Sequence, residues 1–529
     1  MKSATAIAPF NGPTHAFRTV RPPSIYVPGR SDVWLLGITT VIGGQYFSWN
    51  IGFSAGVYGY LIAYLLVGMA YVCFCCCTAE ITGALPFAGG AYGLSRCTLG
   101  FFPAFLIGCC EAFEYIACVA TTMISLAGLI VTMVPDLKGS EPWLWLLLYG
   151  SILLIQIRGQ TPFWTCNFII GVMSIGILVI YCIGCLPFVN IKKEALEDDT
   201  QLFIDGVRSF LKAFPFAAWF FTGVECLNLA SNDVDHPKVT IPRAQVACVS
   251  TLFLTGIMTF FTTVSIPTDG GIPAIASAAA PLNKGFLMMF NISSAVATLL
   301  SVPATYGVAF GFVWGYSKLI HSMASSKLIP PVFATTNKRY NTYHVAVIAG
   351  AVVGYCVCLV VYFQSEVASY VFSVCLMFAF MSYTGQCIGY ISLKVNYRKL
   401  EKSKFQSPFG IVGAVYAIII WVLGIISIAF FQDSNYIELA SFLVIIIGVT
   451  IFYHVYSRRR QVFSDEENKV LLVAHVMKFN KKIKRRSSFS STKNSAMPSS
   501  RGSVPRAAQR TGNSVREISH GYDAEAEQV

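Results

Sequence analysis

Residues 33–56 read VWLLGITTVIGGQYFSWNIGFSAG, and they determine how the rest of the chain is interpreted. At 1.5 Å of rise per residue, an apolar helix of this length crosses the roughly 30 Å hydrocarbon core of a bilayer. The apolar run is interrupted, however, by the polar, Gly-containing patch GGQYFSWN at 43–50. Such a patch predicts a broken membrane helix, whose unpaired N–H and C=O groups are tolerated only inside the protein, where a ligand can bind them.

Eleven further apolar stretches follow, and they predict an all-α integral membrane protein with 12 transmembrane helices. Of the 529 residues, 55% are apolar and only 12% are charged, with a mean hydropathy of +0.61. Charged residues make up about a quarter of an ordinary soluble chain, so a soluble enzyme of ordinary composition is excluded. The predicted spans lie near 33–56, 59–81, 100–133, 143–158, 164–188, 211–231, 245–267, 286–318, 344–363, 367–392, 410–431 and 437–457.

The positive charge lies at the two ends of the chain. Residues 1–30 contain 4 Lys or Arg and no Asp or Glu, residues 458–529 contain 15 against 7, and the rest is neutral, so the net charge of +12 belongs to two tails. Cytoplasmic loops collect Lys and Arg. We therefore predict a cytoplasmic N-terminal tail at 1–31, a membrane domain at 32–457 and a cytoplasmic C-terminal tail at 458–529. The positive charge of the tails is interpreted as a signal for membrane topology, and no nucleic-acid partner is expected.

A second interruption favours an internal repeat. The predicted sixth span contains FTGVE at 221–225, again a Gly with polar neighbours inside an apolar run. The two interruptions open successive sets of five spans, which is typical of a five-plus-five inverted repeat with broken helices 1 and 6 around a midplane site. Helices 11 and 12 are then an addition to this core. The alternative, that each Gly serves only close helix packing, stays open.

Cysteine and histidine residues do not suggest catalysis. All 17 Cys lie between Cys73 and Cys387, nearly all in apolar runs, where free Cys acts as a small apolar side chain. The 7 His are scattered over loops, span ends and tails, and no phosphate-binding Gly-x-x-x-x-Gly-Lys run is present. We expect no metal, no cofactor and no enzymatic activity.

Three loop motifs resemble those of the amino acid–polyamine–organocation permeases. They are AEITGALP at 79–86 with GGAY at 89–92, HPKVTIPRA at 236–244 after Asp233, and SK at 317–318 with KLIP at 327–330. Asp233 stands where that family more usually has Glu. The resemblance extends over about residues 32–457 and implies the LeuT-like fold of that family.

Within the family, the likeness is strongest to ethanolamine permeases and related amino acid permeases. It rests on QYFSWN at 45–50, EAFEY at 111–115 and PFAAWFF at 215–221. The resemblance implies a secondary active symporter in the plasma membrane, which carries an amino acid or a small amine such as ethanolamine by alternating access. Two alternatives are a polyamine or organocation transporter and a non-transporting nutrient sensor of the same fold.

The two interruptions contain most of the candidate substrate-binding residues. Unwound backbone at span one can present N–H groups to a carboxylate or hydroxyl, aided by the positive end of the following half-helix. The aromatic rings either wall the pocket and contact an ammonium group, or pack between helices. The candidates are Gly43, Gly44, Gln45, Tyr46, Phe47 and Ser48 in span one and Phe220, Phe221, Thr222 and Gly223 in span six.

Carboxylates inside the predicted spans are few. Inserting an Asp at the centre of a membrane helix costs about 2.5–3.5 kcal/mol. Glu111 and Glu114 are three residues apart, share a helix face and would repel each other if both were ionised. With Glu225, which follows Gly223 by two residues, they are expected to bind an amine or relay protons, unless they are structural. Glu80 is expected to contact inner-loop backbone.

The coupling ion is H⁺ or Na⁺. Hydroxyls near the middle of the predicted eighth span, Thr298, Ser301 and Thr305, together with span-one carbonyls suit Na⁺, although such hydroxyls commonly bond their own helix backbone. Proton coupling through a carboxylate is the alternative. The predicted fifth span contains no Lys or Arg whose positive charge could take the place of a bound Na⁺.

The C-terminal tail contains KKIKRRSSFSS at 481–491. It is either a disordered tail or a basic segment held to anionic lipid. In the second case, a kinase acting on Ser487 or Ser488 would release it.

Overall fold

A computed structural model of the chain describes residues 26–87, 89–196, 202–396, 403–464 and 467–468. Within these ranges the regular elements are helices and no strand occurs, as predicted. The α-helices are α1 Arg30–Val41, α2 Val57–Ala84, α3 Gly90–Thr98, α4 Phe101–Met133, α5 Glu141–Ile157, α6 Gln160–Gly184, α7 Ile191–Glu194, α8 Gly206–Ala213, α9 Pro237–Val264, α10 Gly271–Ser277, α11 Asn283–Phe290, α12 Ser294–Leu299, α13 Val302–Ser325, α14 His344–Phe363, α15 Val367–Asn396, α16 Gly410–Phe431, α17 Ile437–Phe452 and α18 Arg458–Arg460.

Ten helical stretches in these ranges are long and apolar enough to cross a bilayer. They are Val57–Ala84, Phe101–Met133, Gln160–Phe188, Gly206–Asn232, Pro237–Val264, Ser294–Ser325, His344–Phe363, Val367–Val395, Gly410–Phe431 and Ile437–Arg460. The multi-pass membrane prediction is confirmed. Of the two other predicted spans, the first is divided between α1 and two 3₁₀ segments, and the fourth is the 17-residue α5.

The eighth predicted span differs from the structure in position. It was expected at 286–318, but the long helical stretch begins at Ser294, because Asn291 takes a left-handed conformation (φ 50°) that ends α11. The Ser293 side chain then accepts a hydrogen bond from the Val296 N–H and caps α12. Thr298, Ser301 and Thr305 consequently lie in the first turns of this span and not near its middle.

The interior of the helix bundle is formed where α4 packs against α13 and α15, and where α2 packs against α9. The short α1 lies among α6, α9 and α13, while α16 contacts α2 and α15 at the periphery. Outward-facing side chains of α16 and α17, such as Val412, Ile419 and Val444, are apolar and exposed. Apolar exposure of this kind is what a lipid-facing surface requires.

Candidate functional site

The first span is interrupted as its sequence predicts. The α-helix ends at Val41, a 3₁₀ turn covers Ile42–Gln45, and helical structure resumes only at Trp49–Ala55. Between them Ser48 has a left-handed conformation with φ 68°. The chain therefore changes direction inside the protein, where backbone groups are exposed to neighbours and not to lipid.

The sixth span has a matching interruption. Two 3₁₀ segments, Phe214–Phe220 and Val224–Asn232, flank a turn in which Gly223 has φ 104°. A Cβ atom on Gly223 would also lie 2.5 Å from Cζ of Phe312 on α13. Only Gly fits both the backbone conformation and the space at this position.

The two interruptions touch each other. A Cβ on Gly44 would lie 2.1 Å from the carbonyl oxygen of Trp219, just before the span-six turn. A Cβ on Gly43 would lie 2.5 Å from the carbonyl oxygen of Ala304 on α13. The glycines of span one thus permit close approach of its backbone to spans six and eight, and the ring of Phe47 packs edge-on against Trp219 at 5.8 Å.

Three buried carboxylates converge beside the span-six interruption, and we call them the carboxylate cluster: Glu111 and Glu114 of α4, and Glu225. Each is at most 1% exposed, and their charges are close enough to interact. The Tyr115 hydroxyl donates to Glu111 Oε1 at 2.9 Å, and the Tyr383 hydroxyl of α15 donates to Glu114 Oε1 at 2.5 Å.

The cluster is short of hydrogen-bond donors. Glu111 Oε2, Glu114 Oε2 and both side-chain oxygens of Glu225 have no hydrogen-bond partner among the described residues. None of the three carboxylates belongs to an ion pair in that part of the chain. Burying an unpaired carboxylate costs several kcal/mol, so the arrangement suits a bound cation, a proton or a donor-rich ligand.

Other predicted binding residues point elsewhere. Gln45 donates to the Leu252 carbonyl of α9 at 3.1 Å, and Tyr46 donates to the Ser174 carbonyl of α6 at 2.5 Å. These two hydrogen bonds attach the span-one interruption to α9 and α6. Ser48 is partly exposed.

The span-six aromatics pack mainly against α2. Phe220 lies between Trp49 and Tyr64, with ring centroids 5.0 and 4.9 Å away, and Phe221 stacks on Tyr71 at 5.3 Å. The Tyr71 hydroxyl also lies 3.0 Å from Oγ1 of the predicted site residue Thr222. These rings fill helix–helix contacts, which was the alternative to a role in walling the pocket.

The candidate ion-coupling hydroxyls differ in their hydrogen bonds. Thr305 donates to the Ser301 carbonyl at 2.9 Å. Thr298 donates to the Ser294 carbonyl and accepts from the Asn283 amide at 2.6 Å. Ser301 Oγ is buried and has no hydrogen-bond partner among the described residues. Of the three, Ser301 alone retains a free hydroxyl.

Two features were not identified as functional in the sequence. Tyr383 lies in the polar run Ser382–Gln386 inside an otherwise apolar span, which is a signal that could have revealed it.

Asp233 and Lys318, which the sequence shows only as parts of separate loop motifs, form a buried ion pair, and Gln160 donates to the same Asp233 carboxylate at 3.1 Å. This pair joins the end of span six to α13.

Comparison with known proteins agrees with the motifs. The sequence profile of the family described as Amino acid permease matches residues 32–468. The chain is 25% identical over 355 residues to a methylthioribose transporter of Bacillus subtilis, covering 61% of this chain and 74% of the relative. It is 23% identical over 336 residues to an uncharacterized transporter of Rhizobium meliloti, covering 61% and 70%. It is 22% identical over 464 residues to the amino-acid permease RocE of Bacillus subtilis, covering 81% and 94%. With this match over most of its length, and with ten membrane-length helices among the described residues, the chain belongs to the amino acid permease family.

Proposed function

We propose that this protein is a secondary active transporter of amino acids, or of a related small amine such as ethanolamine. The observation that carries the proposal is the carboxylate cluster: four of its six oxygens have no hydrogen-bond partner among the described residues. An ammonium group would supply both the charge and the N–H donors that these oxygens lack. A substrate carboxylate or hydroxyl would bind to backbone at 43–48, in the span-one interruption that contacts span six at Gly44 and Trp219.

The proposed architecture has 12 spans, with spans 1–5 and 6–10 as inverted repeats and α16 and α17 added. It is supported by the two interruptions, one in the first span of each set, and by their direct contact. Movement of one repeat against the other about this contact would expose the site to each side in turn. The 17-residue α5 is about 25 Å long, which is close to the thickness to be crossed.

Two coupling mechanisms fit the site. Proton coupling is supported by the carboxylate cluster, where a proton on one Glu would relieve repulsion among the three. Sodium coupling is supported by the free hydroxyl of Ser301, because the same turn of α13 carries the Ala304 carbonyl packed on Gly43. The two are distinguished by whether a protonophore or the removal of Na⁺ abolishes uptake.

The experiment that tests the proposal is uptake into vesicles containing the purified protein. A panel of amino acids, ethanolamine and polyamines competes against a labelled amino acid, and we expect accumulation above the outside concentration. Because no cation in the described chain pairs with the carboxylate cluster, a polyamine or other organocation is the second candidate substrate class. Binding without accumulation would reject transport and favour a nutrient sensor.

The predicted kinase sites Ser487 and Ser488 lie outside the described residues. The proposal for them rests on sequence: phosphate beside the basic run would weaken its attraction to anionic lipid. Plasma-membrane location and cytoplasmic termini are part of the same proposal. If changing both Ser to Asp leaves uptake rate and surface level unaltered, the tail has no such role.

A further inference from the structure

After α18 the chain forms a short strap, residues 461–464 with Glu467, that lies against α3. Glu467 is only 2% exposed. Its Oε1 accepts hydrogen bonds from the Tyr92 hydroxyl at 2.5 Å and from Arg96 Nη1 at 2.8 Å, while its Oε2 accepts one from Ser326 Oγ at 2.8 Å. The carboxylate is therefore held by the charged guanidinium of α3 and by the loop after α13.

Further contacts fix the strap to the same two elements. Arg96 Nη2 donates to the Val462 carbonyl at 3.0 Å, and the Val462 N–H donates to the Ser326 carbonyl at 3.1 Å. The Phe463 ring lies 4.7 Å from the Arg96 guanidinium and 5.3 Å from the Phe101 ring. The strap thus joins α3, the end of span eight and the chain beyond the last span.

The α3 helix closes one end of the carboxylate cluster. A Cβ on its first residue, Gly90, would lie 2.9 Å from the Leu229 side chain and 3.6 Å from Glu111 Oε1. The start of α3 therefore lies directly beside Glu111, at the end of the bundle that the loop charges assign to the cytoplasm. A shift of α3 would uncover this side of the cluster.

We propose that the strap is an intramolecular latch. While Glu467 is bound by α3 and by Ser326, α3 is fixed over Glu111 and this end of the protein is closed. Release of Glu467 frees α3 and lets water and solute reach the carboxylate cluster. The residues of the latch are separate from those proposed to bind substrate, so the latch controls access to the site.

Two native thiols report on the latch. Cys97 is on α3, and burial raises the pKa of its thiol to about 11, with Glu467 contributing in the same direction. Cys226 is fully buried and follows Glu225 of the cluster. Cys358 is a reference thiol, since it is buried between α14 and α4, with Sγ 3.7 Å from the Ala120 carbonyl. Their alkylation by N-ethylmaleimide can be followed separately by mass spectrometry of peptides.

The test compares full-length protein and Glu467→Gln in lipid vesicles. We expect the variant to raise the alkylation rate of Cys226 by about tenfold or more, because a hydrogen-bonded charge is replaced by a neutral amide. The rate at Cys97 should also rise, but loss of the Glu467 charge beside its thiol contributes to that rise, so Cys226 decides the test. The rate at Cys358 should not change. Asp433→Asn is the matched control, since Asp433 forms exposed ion pairs with Arg208 and Lys212 near the opposite end; it should leave all three rates unaltered.

An unchanged rate at Cys226 in a folded Glu467→Gln protein would overturn the latch. Equal acceleration at all three thiols would also overturn it, since that result means general loosening. If Glu467→Gln is not recovered folded, Ser326→Ala, which removes one donor to the same carboxylate, must accelerate Cys97 and Cys226 selectively. The readout requires no transported substrate, so it is independent of the proposed function.

Discussion

At the scale of single residues, Glu225 has the environment that is hardest to explain without a ligand. It is 1% exposed, and neither of its side-chain oxygens makes a hydrogen bond of normal geometry among the described residues. Glu111, Glu114 and the Tyr115 and Tyr383 hydroxyls lie nearby. A purely structural carboxylate would normally be hydrogen-bonded, as Glu80 is by Tyr390 and by the Ser407 N–H. This contrast supports the proposal that Glu225 binds substrate.

We predict that Glu225→Gln reduces substrate uptake by roughly tenfold or more, since a hydrogen bond to a charged group is worth about 1.5–3 kcal/mol. The amide keeps the size of the side chain but not its charge, so the amount of protein at the cell surface should be unchanged. Glu438→Gln is the control, because Glu438 is also buried but is hydrogen-bonded to Ser434 and does not belong to the carboxylate cluster. Wild-type uptake in Glu225→Gln would exclude a direct role for this carboxylate.

Residue spacing determines the positions of the carboxylates more directly than the directions of the aromatic rings. Glu111 and Glu114 can be assigned to one helix face from their separation alone. The direction of Phe220 and Phe221 cannot, because at a break in the helix the periodicity that fixes a side chain's direction is lost. Tyr383 comes from a span distant in sequence, so only the tertiary structure brings it to Glu114.

At the scale of elements, the direct contact between the two interruptions constrains the site. The backbones of spans one and six meet at Gly44 and Trp219 with no room for a Cβ atom. Gly and polar residues within an apolar run were sufficient to predict both breaks. The short α10, α11 and α12 were not predicted, because hydropathy averaged over the length of a span does not resolve single polar caps such as Asn291 and Ser293.

We predict that Gly44→Ala destabilises the protein by about 1–3 kcal/mol, because the added methyl group forces the two interruptions apart. The thermal midpoint of the purified protein should fall, and uptake per folded molecule should fall with it. Gly176→Ala on α6 is the control: a Cβ there meets no atom within 4 Å, so uptake should not change and the thermal midpoint should stay the same or rise slightly through the better helix propensity of Ala. A fully stable and active Gly44→Ala protein would show that the contact is looser than the structure indicates.

At the scale of the whole molecule, span number and charge asymmetry determine orientation together. Ten spans are evident from length and hydropathy in the described residues, and α1 with α5 would make 12. The latch agrees with this arrangement, because Arg96, Ser326 and Glu467 come from three segments that the loop charges assign to one side. The sequence could not predict that these residues meet, since they are separated by 141 to 371 residues along the chain.

The span count has a direct topological test. If both α1 and α5 cross the bilayer, the two termini lie on the cytoplasmic side and the loop at 134–140 lies outside. In intact cells, we predict that an epitope inserted at Gly139, which is exposed and has open space around it, is accessible to antibody, while tags at residues 1 and 529 become accessible only after permeabilisation. A tag at Asn435, between α16 and α17, is the positive control for an outer loop. If only one terminal tag were accessible in intact cells, the number of spans would be odd, and one of the two short segments would not cross the membrane.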